Sequence, residues 1–139
     1  IHPTAIISEQ TKLGRNVSIG AYSIVHGRVE IKDDSVIGSH CELGISTPLS
    51  DGSSLIIGAG SMIRSHSIFY QGSQFGSKLV TGHRVTVREG TKAGENLQIG
   101  TLSDIQGHCS IGMFLNAQKN RPRKARSLSL RKLRKCRYV

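Results

Sequence analysis

Counting in sixes from Ile1 lands on Ile1, Ile7, Leu13, Ile19, Val25, Ile31, Ile37 and Leu43. After one interruption the count resumes at Ile57, Ile63, Phe69, Phe75, Thr81, Val87, Ala93, Ile99, Ile105 and Ile111. Only Thr81 is not apolar, in a chain that is 37% hydrophobic, so the period is not an accident of composition. Two residues before each anchor stands a small or aliphatic residue, among them Ala5, Val17, Ser23, Ser35, Cys41, Ser61, Ser67, Leu79, Val85, Leu97 and Cys109. Side chains two apart on a strand share a face, so both point the same way. Two residues after the anchor the chain turns mostly polar, as at Glu9, Arg15, Asp33, Ser65, His83 and Glu89. Glycine often follows the anchor directly, as at Gly38 and Gly82, and supplies the freedom a bend requires. The local unit is a short strand, a corner and a short strand.

Repeated hexads of this kind build a parallel β-helix: three hexads, 18 residues, close one triangular coil, and coils stack through strand hydrogen bonds. The chain is thereby predicted to be all-β, with about six coils rising roughly 4.8 Å each. Anchors and their small partners fill such a coil completely, which excludes an internal ligand cavity and puts function on the outside. Residues 1–112 form the repeat domain. Within it, residues 44–56 hold two residues more than two hexads need, and Pro48 with Asp51-Gly52 marks turns, so this segment is expected to loop outward and to wall a groove. From Met113 the hexads stop, and residues 113–139 form a basic tail. It reads either as a helix capping the open end of the solenoid or as a disordered segment that does not continue the repeats.

Charge separates the same two parts. Residues 1–112 carry nine Lys or Arg and nine Asp or Glu, so the net charge of +10 lies wholly between Lys119 and Arg137. A tail of that kind can attract polyanions, but its only aromatics are Phe114 and Tyr138, a poor set for stacking bases, and nucleic acid is not the expected partner. No apolar run approaches the roughly 20 residues that span a bilayer, and the N-terminus lacks signal-peptide features, so a cytoplasmic location is expected. Cys41 and Cys109 occupy the small inward slot of the hexad and read as packing residues.

The Ile-Gly and Leu-Gly hexads of residues 1–112 resemble the bacterial hexapeptide-repeat acyltransferases. The segments Ile63-Arg-Ser-His66, Thr81-Gly-His-Arg-Val-Thr-Val-Arg-Glu89 and Ile99-Gly-Thr-Leu-Ser-Asp-Ile-Gln-Gly-His108 are similar to the sugar acetyltransferase branch. The resemblance implies a left-handed parallel β-helix, a homotrimer with sites between neighbouring prisms, and acetyl transfer from acetyl-CoA to a hydroxyl or amine of a sugar or nucleotide-sugar. The family pattern continues with further coils where this chain, after Gly112, departs from it.

Acyl transfer needs the acceptor deprotonated as it attacks, and imidazole is the side chain suited to that at neutral pH. Hexads taken in threes put Ile63 and Thr81 on one face, one coil apart, which brings His66 and His83 to one corner. His83 is the expected general base, with His66 as the alternative base or as a group orienting the acceptor. Thr81, which breaks the anchor rule, Gly82, which permits close approach, and Glu89 are assigned to the acceptor. Arg64, Lys78, Arg84 and Arg88 are assigned to the phosphates of coenzyme A. No metal is expected. Two other readings stand beside this one. A zinc carbonic anhydrase of the γ type shares the fold but places two His five apart, a spacing absent here. A catalytically incomplete β-helix would use only its basic tail, on polyanions.

Overall fold

The computed structural model describes residues 1–112 together with 126–128, 132–133 and 137–138. Among the described residues, twenty strands of two to four residues are found, all pairing in parallel within three sheets. We call these sheets A, B and C in the order the chain enters them, at Ile6–Ile7, Lys12–Leu13 and Ser18–Ile19. Together they form a left-handed parallel β-helix of about six coils. The 18-residue coil appears directly in the register, where Ile6 faces Ile24, Lys12 faces Glu30 and Ser18 faces Val36. Sheets A, B and C are therefore the sides of a triangular prism, joined at corners A/B, B/C and C/A.

The anchors fill it. Ile19, Val25, Ile31, Ile37, Leu43, Ile57, Ile63, Phe69, Val87, Ile99, Ile105 and Ile111 are all buried, and Thr81 is buried with them. Each buried aliphatic anchor contributes about 1.5–3 kcal/mol. The position two residues earlier does a second job where it is serine. The Ser23 hydroxyl accepts from the Cys41 amide above it (3.1 Å), Ser61 from Leu79 (3.2 Å) and Ser73 from Thr91 (3.1 Å). A small hydroxyl thus satisfies a buried backbone donor at the corner, where the strand ladder is interrupted. Cys41 sits in the same slot, and burial pushes its thiol pKa up, as suits a packing residue.

The interruption is larger than the count suggests. Across it Val29 faces Leu55, Val36 faces Met62 and Glu42 faces Ile68, a separation of 26 residues where the other pairings within residues 1–112 have 18, as between Ile6 and Ile24 or Val80 and Gln98. Eight residues, not two, leave the coil. The next sheet A to sheet B step runs from the strand Glu42–Ile45 to Leu55–Ile57, so the loop proper is 46–54. Leu49, six residues beyond Leu43, keeps the hexad count but is 66% exposed. A whole hexad has been expelled with it. Pro48 has no amide to give to a rung, and a tight turn replaces the ladder: the Ser50 amide donates to the Thr47 carbonyl and the Thr47 amide to Ser50 Oγ, each at 2.9 Å.

Beyond Gly112, the strands Arg126–Leu128, Lys132–Leu133 and Arg137–Tyr138 pair with sheets C, A and B, each adding one rung. The expectation of a helical or disordered tail otherwise falls on residues outside those described.

Candidate active site

Corner C/A gathers the chemistry-bearing residues. It is formed by residues 20–23, 38–41, 64–67, 82–85 and 100–103, following sheet C in each coil. Two columns run up it. The inner column holds Ser39, Ser65, His83 and Thr101; the outer holds Tyr22, His40, His66, Arg84 and Leu102. Every member of the outer column has a positive φ, between 55° and 64°. The same turn recurs in each coil and aims these side chains outward in register.

His83 is exposed and held in place. Its Nδ1 lies 2.8 Å from Ser65 Oγ of the coil below, and its amide donates to Thr101 Oγ1 of the coil above at 3.2 Å. With Nδ1 engaged by a hydroxyl, Nε2 is the nitrogen left to face a substrate. Ser65 is a residue the periodicity does not single out, because it occupies an ordinary polar corner position. Next to His83, a shallow depression of about 350 Å³ is lined by Arg64, Val80, Thr81, Gly82, Gln98, Ile99, Gly100 and Thr101. A second depression of equal size, around Lys12, Gly14, Glu30 and Asp33 at corner B/C, has no imidazole beside it.

Thr81 explains its own exception. Elsewhere the amide after an anchor donates to the carbonyl of the anchor above, as Gly38 does to Ile63 and Gly82 to Ile99 (2.7 Å each). The Arg64 amide goes instead to Thr81 Oγ1 at 3.1 Å, and that hydroxyl donates to the Gly82 carbonyl at 2.9 Å. Gly82 is required by the next coil, because a Cβ there would strike Thr101 Oγ1 and the Thr101 backbone.

The other assigned residues disperse. His66 shares the corner with His83, one coil lower in the neighbouring column, and its ring stacks on His40 at 4.9 Å with 3° between the planes. Arg64 and Arg84 lie at the same corner, whereas Lys78 lies at B/C and Arg88 at A/B. Glu89 is also at A/B, facing a different edge from His83. Its carboxylate is buried, accepting from Thr47 Oγ1 at 2.6 Å and from Arg88 at 3.1 and 3.2 Å. Burial pushes its pKa up, but the Arg88 and Thr47 hydrogen bonds outweigh this and hold it below the usual carboxylate value. Arg88 in turn rests 4.5 Å over the Tyr70 ring. Glu89 thus fastens the expelled loop to the coil.

A family model described as bacterial transferase hexapeptide (six repeats) matches residues 1–44. Among curated relatives, an acyl-[acyl-carrier-protein]–UDP-N-acetylglucosamine O-acyltransferase of Rickettsia bellii is 35% identical, covering 57% of this chain and 36% of its own. The protein of the same description from Chlamydia abortus is 30% identical over 86% of this chain and 42% of its own. The chain spans about two fifths of the length of these relatives. A solved UDP-N-acetylglucosamine acyltransferase from Campylobacter jejuni superposes with a TM-score of 0.46 at 20% identity, over 80% of this chain and 62% of that one. With its hexads and stacked coils, the chain is similar to the bacterial hexapeptide-repeat transferases, whose repeat model matches residues 1–44.

Proposed function

We propose that this chain carries the coil portion of an acyltransferase that moves an acyl group from a thioester to a hydroxyl or amine of a sugar or nucleotide-sugar. The observation that carries the reading is His83: exposed, fixed through Nδ1 by Ser65, and set beside a depression on an otherwise filled prism. In the reaction His83 Nε2 takes the proton of the acceptor as its oxygen or nitrogen attacks the thioester carbonyl. The tetrahedral intermediate collapses with cleavage of the C–S bond, and the proton passes from imidazole to the leaving thiolate. No covalent enzyme intermediate is needed. The donor proposed from the sequence is acetyl-CoA. The relatives are named for an acyl-carrier-protein thioester, which requires the same chemistry at His83 and a different donor surface.

Arg64, Lys78, Arg84 and Arg88 occupy three corners, so all four can face one donor only if neighbouring prisms contribute. A homotrimer with clefts between prisms meets that need, and sheet C offers an uncharged outer column in Val36, Met62 and Val80, the first two 40% exposed. A zinc site needs three ligands around one point. Among the described residues, no three His, Cys, Asp or Glu side chains of one chain come together.

The test is free thiol release from acetyl-CoA and from an acyl-carrier-protein thioester, with UDP-N-acetylglucosamine as acceptor. His83→Ala is expected to abolish turnover with both donors while circular dichroism and sedimentation stay as in the parent. Turnover that survives the substitution removes His83 from the reaction. Release with one donor only identifies the donor class.

A further inference from the structure

Charge is segregated around the prism in a way its total hides. The nine acidic residues of 1–112 are Glu9, Glu30, Asp33, Asp34, Glu42, Asp51, Glu89, Glu95 and Asp104. None lies at corner C/A or in the sheet C strands through Leu97–Ile99, which carry no charged residue of either sign. The acids nearest in sequence, Glu42 and Asp104 on sheet A, are engaged away from this corner. Glu42 holds His26 at 2.9 Å and Asp104 accepts from Gln106 at 2.7 Å, both partners belonging to corner A/B. Corner C/A itself carries Arg64, Arg84, His40, His66 and His83, and His2 lies at its lower end. The other two corners mix cations with carboxylates.

The cations and rings are also ordered. Tyr22, His40 and His66 stand on consecutive rungs with ring centroids 5.2 and 4.9 Å apart, and Arg84 follows His66 in the same column. The two imidazoles lie parallel, with 3° between their planes. Within the described residues no hydrogen bond engages the ring nitrogens of His40 or His66, and no carboxylate pairs with the Arg64 or Arg84 guanidinium. The strip from Tyr22 to Arg84 spans three rungs, about 14 Å, and ends beside His83. Unpaired donors repeated along a corner free of acids suit an elongated anion, since each charge-assisted hydrogen bond to phosphate forms without displacing a protein partner.

We propose that corner C/A binds the nucleoside diphosphate portion of the acceptor. The phosphates lie against His40, His66, Arg64 and Arg84, the base lies toward Tyr22, and the sugar lies at His83. The assignment deepens the acyl-transfer reading and rests on it for the placement of the sugar. It gives Arg64 and Arg84 to the acceptor, leaving Lys78 and Arg88 for the donor.

UDP binding to the full chain, measured calorimetrically at physiological salt, tests this without requiring turnover. His40→Asn and Arg84→Gln should each weaken UDP binding by about tenfold, whereas Lys12→Gln on sheet B should leave it unchanged and His83→Ala should keep UDP binding while losing turnover. Inorganic pyrophosphate should compete with UDP. If UDP does not bind, or binds equally well to His40→Asn and Arg84→Gln, the strip is not a diphosphate site, even if acyl transfer to a simple sugar proceeds. Weakening by Lys12→Gln to the same degree would also overturn it, by showing diffuse attraction. UDP binding that depends on the strip, with no acyl transfer from any thioester, supports the strip and removes the acyl-transfer reading instead.

Discussion

Thr81 shows how a single side chain bends a repeat at the site. By taking the Arg64 amide on its hydroxyl it replaces the carbonyl that every regular rung would offer, and it does so within a buried anchor position. Thr81→Val keeps the shape and removes the acceptor. It should cost about 1–2 kcal/mol in chemical denaturation and speed hydrogen exchange at the Arg64 amide, with Thr81→Ser keeping the amide protected. Ser65 acts on His83 in a separable way. Ser65→Ala should lower kcat by about tenfold while leaving KM within twofold, because in the proposed reaction the hydroxyl serves only to orient the imidazole. A change confined to KM would assign Ser65 to binding.

Loop 46–54 is the element that departs most from the repeat, and it is held at both ends. Arg28 donates to the Gly52 carbonyl from one coil, and Glu89 receives Thr47 from another. Because the Glu89 carboxylate is held below its unfolded pKa, its contribution is complete above that value, about 4.3, and is lost as pH falls through the lower folded value. Hydrogen exchange in residues 46–54 should therefore accelerate at acid pH before the coils unfold. Glu89→Gln should show the faster exchange already at pH 7, and an unchanged rate there would mean the loop is held by its own turn. Deleting residues 46–53 restores the 18-residue spacing and should leave the coils folded, since loop length carries little closure cost.

At the scale of the whole molecule, the coil is one residue deep on each side and each rung supports only its neighbours. Stability is nearly additive along the axis, so damage stays close to where it is made. Ile99→Asp places a carboxylate among anchors that are almost fully buried and should cost several kcal/mol. Proteolysis should then release the C-terminal coils while the N-terminal coils resist. Uniform loss of protection along the chain would contradict a one-dimensional stack.

The hexad count by itself determined the architecture, the 18-residue coil, the filled interior and the shared corner of His66 and His83, because in a stack this regular the position in sequence is the position in space. It also kept its phase through the interruption, since eight extra residues and two extra residues differ by one whole hexad. For the same reason it missed the size of the loop: Leu49 satisfies the period yet faces solvent, and only the pairing of Val29 with Leu55 decides that its hexad is expelled. Partners between coils were equally out of reach. Glu89 meets Thr47, His83 meets Ser65, and His40 stacks on His66 across the inserted loop. The Glu89–Thr47 and His40–His66 contacts depend on how corners superpose after the loop is removed from the count, and the His83–Ser65 pair, 18 residues apart, depends on how the two side chains are turned, neither of which a one-dimensional period contains.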